Sequence, residues 1–508
     1  MLTIDGSPFA ISDVVRVARE REDVSLAGAV RSRMADSRAV VERADAEGAV
    51  VYGVTTGFGA LADRAVDAED RIALQRAVIL SHAAGMGRRL DDEIVRGMMA
   101  LRARTLAAGL SGVRYELVEQ LVAVLASGLV PWVPMHGSLG ASGDLAPLAH
   151  VACALLGEGF FAGEQDTRLP AAAALGERRL SPATVGPKEG LALINGTDAM
   201  ATILALAVHD VEGLLSAADC ACAMSLEALL GTAKAYDEAV IGLRDSSGQA
   251  DSASNLRRLL DGSPLVASHR ASHHAVQDAY SLRCAPQVHG AARDAVAFCR
   301  QTVERELASI VDNPVVLGGE VVSAGNFHAQ ALAYAADLLA SVCADIAAIS
   351  ERRVDRLLDP ARSRGLPAFL SRDPGLNSGL MIAQYTAAAL VAQLRATASP
   401  LAVQSASTSA GQEDHVSMGY EASLRTRQSV ERLRAVLVVE FLCAAQALDL
   451  RAPLRPAPAT AALLHSVRER VDPLGEDRML AGDLEALHGW LRDGAWRDAL
   501  GAAGVTVR

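Results

Sequence analysis

Aromatic residues are scarce in this chain of 508 residues: Phe, Trp and Tyr make up 4% of it, although hydrophobic residues make up 51%. Ala, Leu and Val therefore supply most of the apolar mass, which favours helices packed closely on one another. A chain of this length also has enough apolar mass for a large buried core. The composition accordingly predicts a mainly α fold.

Cysteine is also sparse, and its pattern indicates no metal site and no disulfide framework. The seven cysteines are scattered, and Cys220 and Cys222 form a C-x-C pair that no second pair matches. We therefore predict reduced thiols, no bound metal and a cytoplasmic protein. His269 and His273 have H-x-x-x-H spacing, but no Glu lies between them as in a zinc-protease helix, so they are interpreted as structural or pocket-rim residues.

A net positive charge, a signal peptide and an uninterrupted apolar run are missing as well. The net charge is -12, so no basic surface indicates a nucleic-acid partner. The start of the chain lacks the basic residues and apolar segment of a signal peptide. Charged residues interrupt every long apolar stretch before about 18 residues, so we predict no membrane span.

Glycine motifs are concentrated in the first 200 residues, at 52–59, 137–144 and 195–197. Clustered glycines indicate backbone that bends sharply or approaches another segment closely. The remainder of the chain has the pattern of long helices. We therefore predict a glycine-rich N-terminal region over residues 1–200, and a long-helix bundle with a C-terminal helical region over residues 201–508.

Two apolar stripes predict helices of about 30 residues, which would be about 45 Å long. One helix is predicted over 327–357 and the other over 420–448. Apolar residues recur mostly three or four positions apart, as at the seam of a bundle. They are Leu332, Ala336, Leu339, Cys343 and Ile346 in the first helix, and Val430, Leu433, Leu437, Phe441 and Leu448 in the second. Such rods often pack across subunits.

The tripeptide Ala141-Ser142-Gly143 permits unusual chemistry. Taken by itself, this sequence is typical of a tight loop before a helix, with Asp144 as the N-cap. If the Gly143 nitrogen meets the Ala141 carbonyl, however, the two can close a five-membered ring. Loss of water from the ring and from the Ser142 side chain would then leave an exocyclic methylidene. Such a group is an electrophile, which no ordinary side chain supplies.

Seven sequence blocks resemble those of the histidine and phenylalanine ammonia-lyases, a family with a self-formed methylidene-imidazolone prosthetic group. The blocks occur in family order at 52–59, 80–85, 137–148, 188–197, 276–284, 325–328 and 412–418. The resemblance implies an aspartase/ammonia-lyase-like bundle of long helices and a homotetramer with shared active sites. It also implies elimination of ammonia from an aromatic amino acid. The prosthetic group would form from Ala141, Ser142 and Gly143, with no external cofactor.

The resemblance assigns roles to three residues outside the tripeptide. Tyr52 is the candidate base for the β-proton, on a loop with Gly57 and Gly59 that could close over the substrate. Asn195 is expected near the substrate carboxylate and the oxygen of the prosthetic group. Phe327 is expected to form an apolar wall.

Three more residues lie in the block at 276–284. Arg283 is expected to hold the substrate carboxylate through a bidentate pair that Lys cannot form. Tyr280 and Gln277 precede it at intervals of three residues, which could place all three toward one side of a helical turn.

The substrate is predicted from the residues expected around its side chain. Histidine needs polar partners for two ring nitrogens, because an unpaired buried nitrogen is costly. Ser81, His82, Met381 and Glu413 look like the histidine-type choices of the family, and Glu413 can accept a hydrogen bond from an imidazole N–H. The predicted reaction is therefore L-histidine to trans-urocanate.

Several departures from the family pattern keep alternatives open. Thr55 and Gly411 stand where histidine enzymes usually have Asn, and Ala279 replaces a usual Pro. They leave room for a tyrosine or phenylalanine ammonia-lyase, or for an aminomutase. A catalytically inactive helical scaffold of the same fold is the alternative of another class. The aspartase/fumarase type of lyase is disfavoured, because its Gly-Ser-Ser loop with a following Met-Pro-x-Lys-x-Asn is missing.

Overall fold

Helices dominate the structure, a computed structural model that describes residues 1–271 and 276–508. This confirms the predicted mainly α class. The helices are α1 Ile11–Ala18, α2 Val30–Ala46, α3 Arg71–His82, α4 Asp92–Ala107, α5 Tyr115–Ala126, α6 Leu145–Leu155, α7 Ala171–Glu177, α8 Glu189–Ile194, α9 Asp198–Ala228, α10 Glu238–Ile241, α11 Ser247–Leu260, α12 Pro264–Ala267, α13 Tyr280–Arg283, α14 Ala285–Ala308, α15 Gln330–Leu358, α16 Met381–Thr397, α17 Gly419–Leu450, α18 Pro458–Arg468, α19 Ala481–Arg492 and α20 Ala495–Ala502.

Strands are short, and in the described residues they form four two-stranded sheets. The strands are β1 Leu2–Ile4, β2 Val24–Leu26, β3 Met86–Arg89, β4 Pro134–His136, β5 Phe160–Ala162, β6 Arg168–Pro170, β7 Val315–Leu317 and β8 Glu320–Val322. β1 pairs with β2 in parallel, whereas the β3–β4, β5–β6 and β7–β8 pairs are antiparallel.

The two long helices predicted from apolar stripes are confirmed as α15 and α17. The helix α15 begins three residues later than predicted, at Gln330, and α17 runs from Gly419 to Leu450. All ten stripe residues are buried, with at most 2% of any side chain exposed. The apolar periodicity therefore identified the buried face of each helix correctly.

Contacts divide the chain into two compact units. The first comprises residues 1–206, 300–337 and 400–424, and the second comprises 207–299, 338–399 and 425–508. The first unit thus joins the glycine-rich N-terminal region to two later segments of the chain. The predicted domain division at about residue 200 stays a prediction.

The core of the first unit is built around α4, in which every residue over 94–107 is buried. Arg102 lies in this stretch, and its guanidinium donates to the carbonyls of Ala192 and Asn195, at 3.0 Å each. It also pairs with the buried carboxylate of Asp198 at 2.6 Å. A buried guanidinium is tolerated only when its N–H groups are satisfied in this way. Arg102 therefore fixes the segment 192–198.

In the second unit, α9, α15 and α17 meet at the carboxylate of Glu440. Arg353 forms a fully buried ion pair with Glu440 at 2.6 Å. Ser225 and Ser350 donate to the same carboxylate at 2.8 and 2.6 Å. All the charge in this cluster is thus paired and hydrogen-bonded, as burial requires.

The same arginine holds α13. The Arg353 guanidinium donates to the carbonyl of Ser281 at 3.2 Å, and the hydroxyl of the buried Tyr236 donates to the carbonyl of Leu282 at 2.7 Å. These bonds anchor both central residues of a helix only four residues long. The core of the second unit therefore fixes the turn that carries Arg283.

Two helical stretches of the described chain have the length and mean hydropathy that a membrane span would need, Glu189–Ala228 and Gln330–Leu358. The most apolar window of the first is 100% buried inside the protein, and that of the second is 61% buried. Helices in a protein core have the same composition, so we infer no membrane span from them. All seven cysteines are free.

Replacing Arg353 with Met should destabilise the protein, because Glu440 would be left as a buried charge without its partner. The expected loss is about 3–5 kcal/mol in the free energy of unfolding. Arg352→Met is the matched control: that side chain is 60% exposed, and surface pairs contribute about 0–1 kcal/mol. Urea unfolding followed by circular dichroism would measure both, and equal losses would contradict the role given to the buried pair.

Candidate active site

The residues predicted for the site are divided between the two units. The first unit contains Tyr52, Ser81, His82, Ala141, Ser142, Gly143, Asn195, Phe327 and Glu413. The second unit contains Gln277, Tyr280, Arg283 and Met381.

Two cavities of the first unit share four lining residues: Tyr52, Gly59, Ser142 and Glu413. The first, which we name the Phe327 cavity, has a volume of about 330 Å³ and is also lined by Ala141, Asn313, Phe327, His328 and His415. The second, which we name the His82 cavity, has a volume of about 380 Å³ and is also lined by Ser81, His82, Leu191, Asn195 and Ser409. Ser142 of the predicted tripeptide therefore faces both cavities.

The loop that carries the tripeptide packs backbone against backbone. Gly143 has a left-handed φ of +74°, and a Cβ there would overlap the carbonyl of Gly196. The next residue, Asp144, donates its N–H to that carbonyl at 2.6 Å. Only glycine satisfies both the conformation and the close approach. The close approach predicted from the glycine clusters is therefore present here.

Asp144 lies at the N-cap of α6, as predicted, but its side chain makes no cap bond with α6. Instead, its Oδ2 accepts from the N–H groups of Ala199 and Met200 at 2.9 and 3.1 Å, in the first turn of α9. Complete burial raises the pKa of Asp144 well above its ordinary range. The carboxyl group thus ties the tripeptide loop to a different helix from the one that it precedes.

Tyr52 is held against its own loop. Its hydroxyl accepts from the N–H of Gly59 at 3.1 Å. Its ring packs edge-to-face with that of Phe58, with the centroids 6.2 Å apart. These contacts keep the phenolic oxygen on the wall that the two cavities share.

The carboxylate of Glu413 divides its hydrogen bonds between two hydroxyls. Its Oε1 accepts from the Ser142 hydroxyl at 3.4 Å, and its Oε2 accepts from the Thr408 hydroxyl at 2.8 Å. The carboxylate therefore lies directly beside the tripeptide, within reach of a ligand in either cavity.

His82 ends α3 and has an assignable tautomer. Its Nδ1 lies 2.7 Å from the carbonyl of Val78. Because a carbonyl only accepts, Nδ1 must carry the proton, and in the neutral ring Nε2 is an acceptor. The neighbouring Ser81 hydroxyl also donates to Val78, at 3.2 Å. The pair presents a ring and a hydroxyl to the His82 cavity.

The two polar atoms of the Asn195 side chain differ in their hydrogen bonding. Its Nδ2 donates to the carbonyl of Asn313 at 3.4 Å. Its Oδ1 is buried and has no hydrogen-bond partner in the described part of the chain. Buried acceptors are rarely left unpaired, so this oxygen is available to a group in the His82 cavity.

Gln277, Tyr280 and Arg283 line one pocket of the second unit, with a volume of about 780 Å³. The Arg283 guanidinium lies 4.7 Å from the centre of the Tyr280 ring, and Tyr280 is 71% exposed. The predicted helical spacing of the three is wrong, because α13 comprises only Tyr280–Arg283 and Gln277 precedes it. The backbone bends before Tyr280, yet all three residues reach the same pocket.

The remaining predicted residues have simpler surroundings. Met381 is the first residue of α16, in the second unit. His269 donates from Nε2 to the carbonyl of Gly231 at 3.0 Å, a structural contact. His273 lies outside the described residues. In the described ranges, no group of three His, Cys, Asp or Glu side chains is arranged to hold a metal ion.

Sequence reasoning gave no role to several residues at the site. Asn313 lines the Phe327 cavity, and its carbonyl accepts from Asn195. His328 and His415 stack with their ring centres 5.9 Å apart in the same cavity, although both lie in family blocks. Thr408 lies outside all seven blocks, so no signal in the sequence indicated its bond to Glu413.

Comparison with known proteins gives one consistent result. The family described as aromatic amino acid lyase matches residues 9–469. A histidine ammonia-lyase of Streptomyces avermitilis is 47% identical over 496 residues, which cover 97% of each chain.

Solved structures agree with this relationship. The tyrosine aminomutase of Streptomyces globisporus has a TM-score of 0.95 and 35% identity, with 100% of both chains covered. The histidine ammonia-lyase of Trypanosoma cruzi has a TM-score of 0.91 and 36% identity, covering 99% of this chain and 95% of its own. The resemblance found in the seven blocks and the predicted ammonia-lyase-like fold are both confirmed. The chain belongs to the aromatic amino acid lyase family and is, as predicted, a carbon–nitrogen lyase.

Proposed function

We propose that this enzyme removes ammonia from L-histidine and releases trans-urocanate. The observation that carries the proposal is the His82 cavity, where Glu413 and the Ser81–His82 pair are polar partners beside Ser142. Glu413 would accept from the imidazole N–H, and the Ser81 hydroxyl would turn away from the carbonyl of Val78 to donate to the other ring nitrogen. Leaving either nitrogen unpaired in a buried site would cost about 1–3 kcal/mol. The 47% identity to a histidine ammonia-lyase supports the same substrate.

The three departures from the histidine pattern are compatible with this proposal. Gly411 has a φ of +89°, a conformation that Asn also tolerates. Ala279 has a φ of −64°, the value that Pro would impose. Thr55 is buried, and its hydroxyl accepts from the N–H of Val51 at 2.9 Å, within the turn that carries Tyr52. None of these substitutions requires a different backbone at the site.

The prosthetic group would be a methylidene-imidazolone made from Ala141, Ser142 and Gly143, with no external cofactor. The residues fit this group: Gly143 has no side chain to hinder its nitrogen, and the space beside it is closed by the carbonyl of Gly196. Asn195 and Glu413 would hold the group on the sides facing the cavities. When formed, the group supplies an electrophilic carbon for the substrate amine.

Two residues would carry the remaining chemistry. Tyr52, oriented by the N–H of Gly59, would take the β-proton. Arg283 would clamp the substrate carboxylate through two parallel hydrogen bonds, with Gln277 and Tyr280 beside it and Met381 near the substrate side chain. Phe327 would form an apolar wall.

We propose that the active form is a cytoplasmic homotetramer in which subunits share sites. Exposed apolar residues on two long helices support this assembly: Tyr334 on α15 is 56% exposed, and Ile382 and Tyr385 on α16 are 58% and 61% exposed. Closed symmetry would bury such faces. The seven free cysteines favour a reducing compartment. No nucleic acid or membrane partner is proposed.

An aminomutase, or an ammonia-lyase acting on tyrosine or phenylalanine, is the second candidate. The TM-score of 0.95 to a tyrosine aminomutase favours it. A mutase would use the same groups but return the amine to the β-carbon. The presence of the tripeptide, Tyr52 and Arg283 disfavours an inactive scaffold.

Incubation with histidine, tyrosine and phenylalanine separately, followed by assays for the conjugated acrylate, ammonia and β-amino acid, would decide among these functions.

Replacing Ser142 with Ala should abolish turnover while the protein still folds and assembles, because no hydroxyl remains to leave. The measurements are histidine turnover, the helical circular dichroism signal and the assembled mass by light scattering, compared with four times the 52.9 kDa of the chain. Normal turnover by this variant would contradict the origin of the electrophile.

Substitutions at Tyr52 and Arg283 should affect different kinetic constants. Tyr52→Phe should lower kcat strongly with little change in binding, because it removes the base and keeps the ring. Arg283→Lys should raise KM, by about 2 kcal/mol of lost binding, because a point charge cannot form the bidentate pair. Steady-state kinetics with histidine would measure both constants, and wild-type values in either variant would refute that role.

Co-expression of the two variants tests whether the sites are shared. If one chain supplies Tyr52 and another supplies Arg283, mixed tetramers will contain some sites with both native residues. Activity above that of either variant alone is therefore expected. Mixing the separately purified variants under conditions without subunit exchange is the control, and equal activity in the two preparations would rule out shared sites.

The ring pocket can be tested with two substitutions that nearly preserve side-chain size. Glu413→Gln should sharply lower kcat/KM for histidine, because it keeps the shape and removes the charge. His82→Leu should shift preference toward phenylalanine or tyrosine by making the cavity more apolar. The expected effect is about 1–3 kcal/mol for each stranded polar group. Unchanged ratios of kcat/KM among the three amino acids would rule out this recognition scheme.

A further inference from the structure

The turn at residues 408–413 has an unusual backbone. Thr408 and Glu413 form an isolated antiparallel bridge, with the N–H of Thr408 donating to the Glu413 carbonyl at 2.9 Å. Between them, Ser409 and Ala410 have φ values of +50° and +52°, and Gly411 has +89°. Two successive non-glycine residues in the left-handed region are costly, and such strain is found mainly where the surrounding structure fixes a functional element.

The first attachment of this turn is the bond from Thr408 to Glu413. The Thr408 hydroxyl donates to Oε2 at 2.8 Å, whereas Oε1 accepts from Ser142 at 3.4 Å. If the Ser142 hydroxyl departs as water, Oε1 loses this donor and Oε2 keeps its bond to Thr408. Oε1 is then the oxygen available to a ring N–H, and Thr408 sets the direction in which it points.

The second attachment is Ser409, which contacts the loop of Tyr52. Its Oγ accepts from the N–H of Ala60 at 3.2 Å. A Cβ on the adjacent Gly59 would overlap the Ser409 hydroxyl. The N–H of Gly59 in turn donates to the Tyr52 hydroxyl at 3.1 Å. Ser409 thus restrains the backbone segment that holds the phenolic oxygen.

We propose that the 408–411 turn is a positioning element that determines specificity for substrates with a ring N–H. Thr408 orients the carboxylate of Glu413 toward the substrate ring, and Ser409 orients Tyr52 for proton transfer. Both act through another residue, so neither is assigned a chemical step. The inference rests on the proposed function, in which Glu413 binds the substrate ring and Tyr52 removes the β-proton.

A double-mutant cycle tests the Thr408 attachment. Thr408→Val removes the hydroxyl at nearly constant shape and should lower kcat/KM for histidine about 10-fold, mainly through KM. Thr408→Ser, which keeps the hydroxyl, should stay within about twofold of the wild type. In the Glu413→Gln background, Thr408→Val should cause almost no further loss, because the bond acts through the carboxylate. An equal loss in both backgrounds would show a general structural role and overturn this assignment.

Ser409→Ala tests the second attachment. It should lower kcat about 10-fold with little change in KM, because one hydrogen bond to the Tyr52 loop is lost. Ser407→Ala, at an exposed serine two residues before it, is the control and should match the wild type. Equal kinetics for the Ser409 and Ser407 variants would refute the Ser409 role.

The results separate this inference from the function on which it rests. A wild-type enzyme inert toward histidine would overturn the proposed function and this inference with it. A wild-type enzyme active on histidine, with Glu413→Gln impaired and Thr408→Val unimpaired, would overturn this inference alone.

Discussion

The backbone contact between Gly143 and Gly196 is the constraint around which the first unit's site is arranged. A Cβ at Gly143 would overlap the Gly196 carbonyl, and one at Gly196 would overlap the Arg102 guanidinium. The tripeptide loop therefore packs directly on the backbone of Gly196, and Gly196 packs directly on the buried guanidinium of Arg102 in α4. Asp144 joins the loop to the carbonyl of Gly196 and to the start of α9. The position of Ser142 at two cavities follows from this packing.

Buried guanidinium groups serve each unit in a similar way. Arg102 donates its N–H groups to carbonyls around Asn195 and to Asp198, and so fixes the segment that carries Asn195, a lining residue of the His82 cavity. Arg353 pairs with Glu440 and also donates to a carbonyl of α13, the turn that carries Arg283. In both cases the buried charge is tolerated because it is paired and hydrogen-bonded, and the same bonds fix backbone beside a predicted site residue. Core stability and site geometry therefore depend on the same bonds.

The sequence predicted those features that follow from local patterns. Apolar spacing identified the buried faces of α15 and α17, and glycine clusters indicated close backbone approaches. Contacts that join distant segments through single atoms could not be read in this way. The carboxyl of Asp144 bonds to α9 instead of capping α6, Gln277 lies before the α13 turn, and Thr408 bonds to Glu413 from outside every family block. Such contacts depend on tertiary geometry, which periodicity and motifs do not encode.

Residues 141–143 are proposed to become an electrophile without an added cofactor, and the mass of the peptide that contains them tests this proposal. The native protein would be digested with a protease, and the peptide that contains these residues would be weighed beside the same peptide from Ser142→Ala. We expect a wild-type peptide lighter than its sequence by two water molecules, one from ring closure and one from the serine hydroxyl. A wild-type peptide of full mass, from protein that eliminates ammonia at a normal rate, would show that the electrophile does not form from these residues.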